Sequence, residues 1–214
     1  TIFVDQKSDK SKNEIKRLYQ RAKILFDFVA PQEYGIENKD KLLIGILLSD
    51  SLLKSIIENL EESKSSLNPC TRLYFTKESH VHTLLNVVFL SGLPTRIPRK
   101  DVPELDYLTQ ITFELYERQR GLPGDKEYSL RVAFSPGAHD PNILDLQLDA
   151  RHCLIVAPRK NLTDHLPLDE ALSYYKTIVY NSPASVISGP VKQNVQESLS
   201  SSPFFDVFQF SKSF

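Results

Sequence analysis

Hydroxyl, ammonium and imidazole groups are concentrated in one short segment of the chain, residues 76–82. Thr76 and Ser79 supply hydroxyl donors and Lys77 supplies a positive charge. His80 and His82 carry imidazoles that can donate a hydrogen bond to a phosphoryl oxygen or exchange a proton with it. Groups of these types suit a phosphate ester or anhydride as ligand.

Each of these residues also has an ordinary structural interpretation. Ser79 could cap a helix that starts near His80, which is worth about 1 kcal/mol, and Lys77 and Glu78 could be solvated corner residues. His82 lies two positions after His80, so on a helix the two rings diverge by about 200°. A buried or partner-bonded histidine is therefore the simpler interpretation of His82.

The flanking residues predict the elements that position this segment. A β-rich run predicts a strand over 71–76, and apolar residues at helical spacing from Val81 to Phe89 predict a helix that ends at Gly92. In α/β sheets, ligands gather at the carboxyl ends of strands, where a following helix offers unpaired N–H groups and a positive dipole end. The predicted order of strand, polar corner and helix has this layout.

Hydrophobic periodicity predicts most of the remaining elements. Helices are predicted over residues 13–30, 39–62, 102–118 and 168–176. Strands are predicted over residues 128–134 and 144–149, with 154–157 as the partner of the second. Residues 182–202 are rich in Ser and Pro without clear periodicity, which favours a loop or linker.

Composition favours a globular domain of ordinary size, with 214 residues, 41% hydrophobic and 25% charged. The chain has 26 basic and 27 acidic residues, so no overall electrostatic field draws it to nucleic acid or to an anionic membrane. The chain has no apolar run of the roughly 18 residues that span a bilayer, and its first residues do not resemble a signal peptide. A cytoplasmic location is therefore expected.

Cysteines and glycines add only negative expectations. Cys70 and Cys153 are too few and too far apart for a disulfide scaffold or a self-contained zinc site, so no metal is predicted. Neither of the common glycine-rich phosphate loops, GxGxxG and GxxxxGK, occurs in the chain.

Two features outside the corner could extend an anion site. Arg96, Arg99 and Lys100 follow the predicted helix closely, although a solvated basic loop is the more common meaning of such a run. His139 could approach the corner from a predicted loop, but an exposed turn histidine is the simpler interpretation.

Four segments of the chain resemble, in the same order, the phosphatase domain of VIP-type diphosphoinositol pentakisphosphate kinases, with a fungal character. They are PQEYGI (31–36), RLYFTKESHVHTLL (72–85), LDYLTQI (105–111) and FSPGA (134–138). The resemblance implies an α/β fold of the histidine-phosphatase (phosphoglycerate mutase-like) type, with layers of helices flanking a central sheet. It implies that residues 1–181 are the C-terminal part of that domain, followed by a loop or tail of uncertain structure at 182–214.

The resemblance also implies a function. Members of that family are bifunctional: an N-terminal ATP-grasp kinase phosphorylates the 1-position of inositol hexakisphosphate or its 5-diphospho derivative, and the phosphatase domain removes that β-phosphate. The implied partners are an inositol pyrophosphate substrate, the N-terminal remainder of the phosphatase domain and the kinase domain. No cofactor is implied for the phosphatase, and neither nucleic acid nor membrane is an expected partner.

The phosphatase domain is similar to histidine acid phosphatases, in which an Arg-His-Gly motif supplies a nucleophilic histidine. A later Ser-Ala-His-Asp motif binds phosphate and donates the proton to the leaving group. Ser79-His80 matches the Ser and His of the later motif, whereas Val81 stands where the family has the proton-donating Asp. The general acid is then His80 itself or the neighbouring Glu78.

The nucleophile motif does not occur before this segment, because the chain's one Arg-His pair, Arg151-His152, follows it. The resemblance thus predicts half of an active site, with the phosphohistidine nucleophile outside the segment. We expect catalytic roles for His80 and Glu78, and substrate binding by Arg72, Lys77, Ser79 and His82. A non-catalytic inositol polyphosphate-binding domain that regulates the kinase is the main alternative, and a helical interaction scaffold is the other.

Overall fold

The computed structural model describes residues 9–66, 68–122, 124–138, 155–181 and 206–211. Its helices are α1 (Asp9–Val29), α2 (Asn38–Glu62), α3 (Glu78–Leu90) and α4 (Leu168–Asn181), with 3-10 turns at Ala30–Gln32 and Arg99–Asp101. Its strands are β1 (Cys70–Phe75), β2 (Gln110–Gln119), β3 (Lys126–Ser135), β4 (Lys160–Asn161), β5 (Leu166–Pro167) and β6 (Asp206–Ser211). In the described residues, no helix is both long and apolar enough to cross a bilayer.

The strands form two antiparallel sheets. In the smaller sheet β1 pairs with β6 over the whole length of both strands, from Cys70 opposite Ser211 to Phe75 opposite Asp206. In the larger sheet β2 and β3 form a hairpin of ten residue pairs, and the short strands β4 and β5 pair with the other edge of β3. Helices and sheets together confirm the predicted α/β class.

The close crossing of α2 and α3 fixes the position of the polar corner. A Cβ atom added at Gly45 would lie 2.9 Å from the carbonyl oxygen of Thr83 and from a methyl group of Val87, so glycine permits the approach. The buried hydroxyls of Ser49 and Thr83 are hydrogen bonded at 3.0 Å. The buried faces of both helices continue into one core with β3 and α4, in which Leu53, Leu85, Leu130 and Tyr175 are almost completely buried.

Most elements predicted from periodicity are confirmed: α1, α2, β1, α3, β3 and a longer α4. The predicted helix over 102–118 is wrong, since β2 occupies Gln110–Gln119. The Asp106 carboxylate accepts from the Tyr107 backbone N–H and the Thr109 hydroxyl donates to the Asp106 carbonyl, which forms a turn there, and Leu108 adopts φ 62°. Ile111, Phe113 and Leu115 then alternate along the strand and pack against the core.

Only some of the predictions for the C-terminal part of the chain fall on described residues. Residues 155–157 lie outside any strand, so that part of the predicted strand over 154–157 is wrong. The strand predicted over 144–149 and the loop predicted over 182–202 fall outside the described residues, as does His139. Within the predicted tail, residues 206–211 form β6.

Candidate active site

The polar corner lies where β1 ends at Phe75 and α3 begins at Glu78. Lys77 is the N-cap, with an extended backbone (φ −76°, ψ 157°) and no side-chain capping bond. Capping by Ser79 is therefore wrong, because Ser79 already lies inside the first helical turn. The N–H groups of His80 and Val81 donate to the Lys77 carbonyl, whereas the helix offers no internal partner to those of Glu78 and Ser79.

His80 is half-buried in the first turn of α3. Burial lowers the pKa of its imidazole, and the positive charge of Lys77 lowers that pKa further. The ring is therefore neutral near pH 7, with one nitrogen that donates and one that accepts. A neutral imidazole can hydrogen bond to a phosphoryl oxygen, but it is a poor proton donor to a leaving group.

The pKa of Glu78 is shifted in the opposite direction to that of His80. Burial raises the pKa of its carboxyl, and three neighbouring carboxylates raise that pKa further: those of Glu104, Glu33 and Asp106. Its side chain is 65% exposed, so water screens much of this effect and access for a ligand is open. Of the two candidates for the general acid, Glu78 is the one whose surroundings favour keeping a proton.

His82 is 1% exposed and lies on the inner side of α3. Tyr34 stacks on its ring with centroids 5.3 Å apart, the Arg99 guanidinium lies 3.5 Å from Nδ1, and a Glu78 carboxylate oxygen lies 3.5 Å from Nε2. Burial, and then the charge of Arg99, lowers the pKa of His82 to about 4. The structure therefore matches the buried, partner-bonded alternative and gives His82 no direct access to a substrate.

The structure does not bring Arg72 to the corner. Its guanidinium donates to the Asn59 carbonyl, to the Ser63 hydroxyl and to a Glu62 carboxylate oxygen at 3.1–3.3 Å, at the C-terminal end of α2. Asn59 lies ten residues beyond Ser49, which contacts α3 beside the corner, so about 15 Å of helix separates the two places. Arg72 ties β1 to α2 instead.

Four of the predicted site residues lie together at the start of α3: Lys77, Glu78, Ser79 and His80. Thr76 precedes them, and its hydroxyl is buried without a hydrogen-bond partner in the described part of the chain. Lys77 is exposed and acts on His80 through its charge. The corner thus presents cationic, hydroxyl and N–H donors beside a carboxyl whose pKa is raised.

Sequence reasoning named Glu78, His82 and Arg99 but missed Asn86 and the helical face along which these side chains lie. Glu78, His82 and Asn86 follow one another at four-residue steps and so share one helical face. Arg99 lies along this face, with its Nε donating to the Asn86 amide oxygen at 3.1 Å. The four-residue spacing of these polar residues was the available signal. Arg96, by contrast, is 54% exposed and pairs with Asp164.

Where the structure describes the chain, no group of three or more His, Cys, Asp or Glu side chains is arranged to hold a metal ion.

Comparisons with known proteins identify the family of the chain. The family model described as "Histidine phosphatase superfamily (branch 2)" matches residues 5–135, which include β1, the corner and α3. An inositol hexakisphosphate and diphosphoinositol-pentakisphosphate kinase of Saccharomyces cerevisiae is 49% identical over 156 residues, 73% of this chain and 14% of its own length. The human kinase 2 of the same name is 33% identical over 150 residues, 56% of this chain and 12% of its own length.

The chain therefore spans about one seventh of the length of these relatives. No solved structure matches it.

Proposed function

Because this chain belongs to branch 2 of the histidine phosphatase superfamily, we propose that it is the C-terminal part of an inositol pyrophosphate phosphatase domain. The reaction is removal of the 1-position β-phosphate, without a metal or other cofactor. The kinase names of the relatives support a parent protein that also carries a kinase domain. An ATP-grasp fold for that domain and a cytoplasmic location are further parts of this proposal. Residues 1–181 belong to the phosphatase domain and 182–214 form its tail.

One observation carries this proposal: His80, Glu78 and Lys77 stand together where β1 ends and α3 begins. The positive charge of Lys77, the helix dipole and the N–H groups of Glu78 and Ser79 all favour an anion at this place. The neutral His80 ring adds one directed donor. Glu78 adds, within the same turn, an exposed carboxyl whose raised pKa favours its use as a proton donor.

These groups divide the reaction between them. A histidine outside this segment attacks the β-phosphorus, so that a P–N bond forms while the P–O bond to the inositol phosphate breaks. His80 and the N–H groups of the corner stabilise the transferring phosphoryl oxygens, and Glu78 gives its proton to the leaving phosphate oxygen. In the second half, the Glu78 carboxylate accepts a proton from the water that hydrolyses the phosphohistidine.

Replacement of His80 tests the proposal in the full-length protein. His80→Ala removes a donor to the transferring group, so we expect release of phosphate from inositol pyrophosphates to fall by about 100-fold or more. His165→Ala is the matched control, because His165 lies against Tyr116 and Ser129 in the hairpin sheet and should leave the rate unchanged. Equal hydrolysis by the wild type and His80→Ala would overturn the assignment.

The second candidate is a non-catalytic domain that binds inositol polyphosphate and regulates the kinase. Val81 at the place of the family's proton donor favours it. For such a domain, hydrolysis would be nil in the wild-type full-length protein as well, while binding of inositol hexakisphosphate would persist and weaken in His80→Ala. Hydrolysis and binding measured in the wild type and in His80→Ala therefore distinguish the two functions.

A further inference from the structure

Arg99 is a cation held against α3 without a counter-ion. Its Nε donates to the Asn86 amide oxygen at 3.1 Å, and its terminal NH2 lies 3.5 Å from Nδ1 of His82. Both partners are neutral, since the low pKa of His82 leaves that ring uncharged near pH 7. Among the described residues, no carboxylate forms an ion pair with Arg99. Burial lowers the pKa of its guanidinium, the sign of a charge that lacks compensation.

A second cation stands close to the first. Lys41 lies in the first turn of α2, and its backbone nitrogen is 2.6 Å from the position that a Cβ of Gly35 would occupy. The adjoining Tyr34 stacks on His82, so the same loop brings Lys41 towards the His82 and Arg99 side of α3. Burial, and then the charge of Arg99, lowers the pKa of Lys41. Like charges in a half-buried place are costly unless an anion joins them.

Asn86 supplies an independent sign of a missing ligand. Its side chain is 1% exposed, and its oxygen already accepts from Arg99. Its amide nitrogen has no hydrogen-bond partner among the described residues. A buried amide donor left unpaired is destabilising, so a bound acceptor would remove that penalty.

We propose that Arg99, Lys41 and Asn86 form a second phosphate-binding subsite, on the face of α3 that Glu78, His82 and Asn86 share. Two cations and a neutral amide donor match a phosphate dianion better than a carboxylate, which brings one charge and two oxygens. The phosphate is a further phosphate of the polyphosphorylated substrate or free inorganic phosphate. The substrate version rests on the proposed phosphatase function.

Peptide-resolved labelling of the full-length protein with phenylglyoxal tests the subsite directly, because this reagent modifies arginine and mass spectrometry reads each site. With inositol hexakisphosphate or inorganic phosphate at about ten times its dissociation constant, labelling of Arg99 should slow about tenfold. Arg96, whose partner is Asp164, is the matched control and should label at an unchanged rate. Equal labelling of Arg99 with and without both anions would overturn the proposal.

The two sources of phosphate give different results. Protection by inositol hexakisphosphate at concentrations where inorganic phosphate has no effect assigns the subsite to the substrate ring. Equal protection by both anions assigns it to free phosphate. The labelling rate of Arg99 reports anion binding and does not require hydrolysis of a substrate. It therefore tests the subsite even if His80→Ala shows that the proposed phosphatase function is wrong.

Two substitutions give a second measurement. If the subsite binds the substrate ring, Arg99→Met should raise KM for the inositol pyrophosphate about tenfold or more with kcat nearly unchanged, since the lost contact is made equally in ground and transition states. Lys41→Met should raise KM severalfold and keeps the test open if Arg99→Met fails to fold. Unchanged KM in a folded Arg99→Met, combined with protection by inositol hexakisphosphate alone, would overturn assignment to the substrate ring.

Discussion

At the scale of single residues, two neighbouring side chains of the corner have pKa values displaced in opposite directions. Burial lowers the pKa of His80 and raises that of Glu78. The same half-buried helix start produces both shifts, because each displacement favours the uncharged form. This pair combines a neutral hydrogen-bond donor with a carboxyl whose pKa is raised, which is the direction that an acid-assisted phosphoryl transfer requires of its two groups.

Replacement of Glu78 tests this division through the pH profile. If the protonated carboxyl is the general acid, hydrolysis is fastest below the raised pKa of Glu78 and falls as the pH increases through it. Glu78→Gln should lower the rate about 100-fold or more and abolish that alkaline limb, because the amide cannot release a proton. The measurement is the initial rate of phosphate release by the full-length protein across the pH range. A variant that keeps both the wild-type rate and the limb would rule out Glu78.

At the scale of elements, His82 joins α3 to the loop that carries Tyr34 and to Arg99. The folded chain holds its ring uncharged, with the pKa lowered to about 4 by burial and by Arg99, whereas an unfolded histidine titrates near 6.5. Between these two values the unfolded state binds more protons than the folded state. Stability therefore increases with pH across this window and is lost as the pH falls from about 6.5 to about 4.

A shift of this size corresponds to roughly 3 kcal/mol at its upper limit. His82→Gln removes the titrating group, so we expect its free energy of unfolding to depend less on pH in that window than the wild type's does. Urea titrations at several pH values measure the free energy of unfolding of both proteins. Subtracting one curve from the other cancels the contribution of the carboxylates that both proteins share. Parallel curves for the wild type and His82→Gln would contradict the proposed protonation state.

The elements also show why part of the structure was predictable. The spacing of apolar residues within one element can be read from the sequence, so periodicity predicted α1, α2, β1, α3 and β3. The order of β1 and α3 then predicted the polar corner between them. The apolar residues of 102–118 also have helical spacing. This region nevertheless forms a turn at Asp106 and then the strand β2, because Asp106 makes local hydrogen bonds and β2 pairs with β3. Arg99 and Tyr34 reach His82 from other elements, and no pattern within α3 specifies which distant residues will pack there.

At the scale of the whole molecule, α1 has little cover from the rest of the described chain. Its apolar side chains remain in contact with solvent: Leu18 is 68% exposed, Leu25 60% and Phe28 70%. The helix is held near its C-terminal end, where an Asp27 carboxylate oxygen accepts from the Glu104 backbone N–H at 2.9 Å. An amphipathic helix with its apolar stripe in water is unfavourable, since each Å² of exposed apolar surface costs roughly 25 cal/mol.

We therefore expect the 214-residue chain on its own to self-associate through α1 as its concentration rises. Leu18→Lys with Leu25→Lys places two charges on one face of the helix and should lower the association measured by sedimentation velocity. Asn13→Lys with Gln20→Lys is the matched control, because it adds the same two charges at exposed polar positions of the same helix. If charge alone governs association, both double variants will sediment alike. If the apolar stripe governs it, only the leucine variant will sediment as a monomer, because it alone removes exposed hydrocarbon.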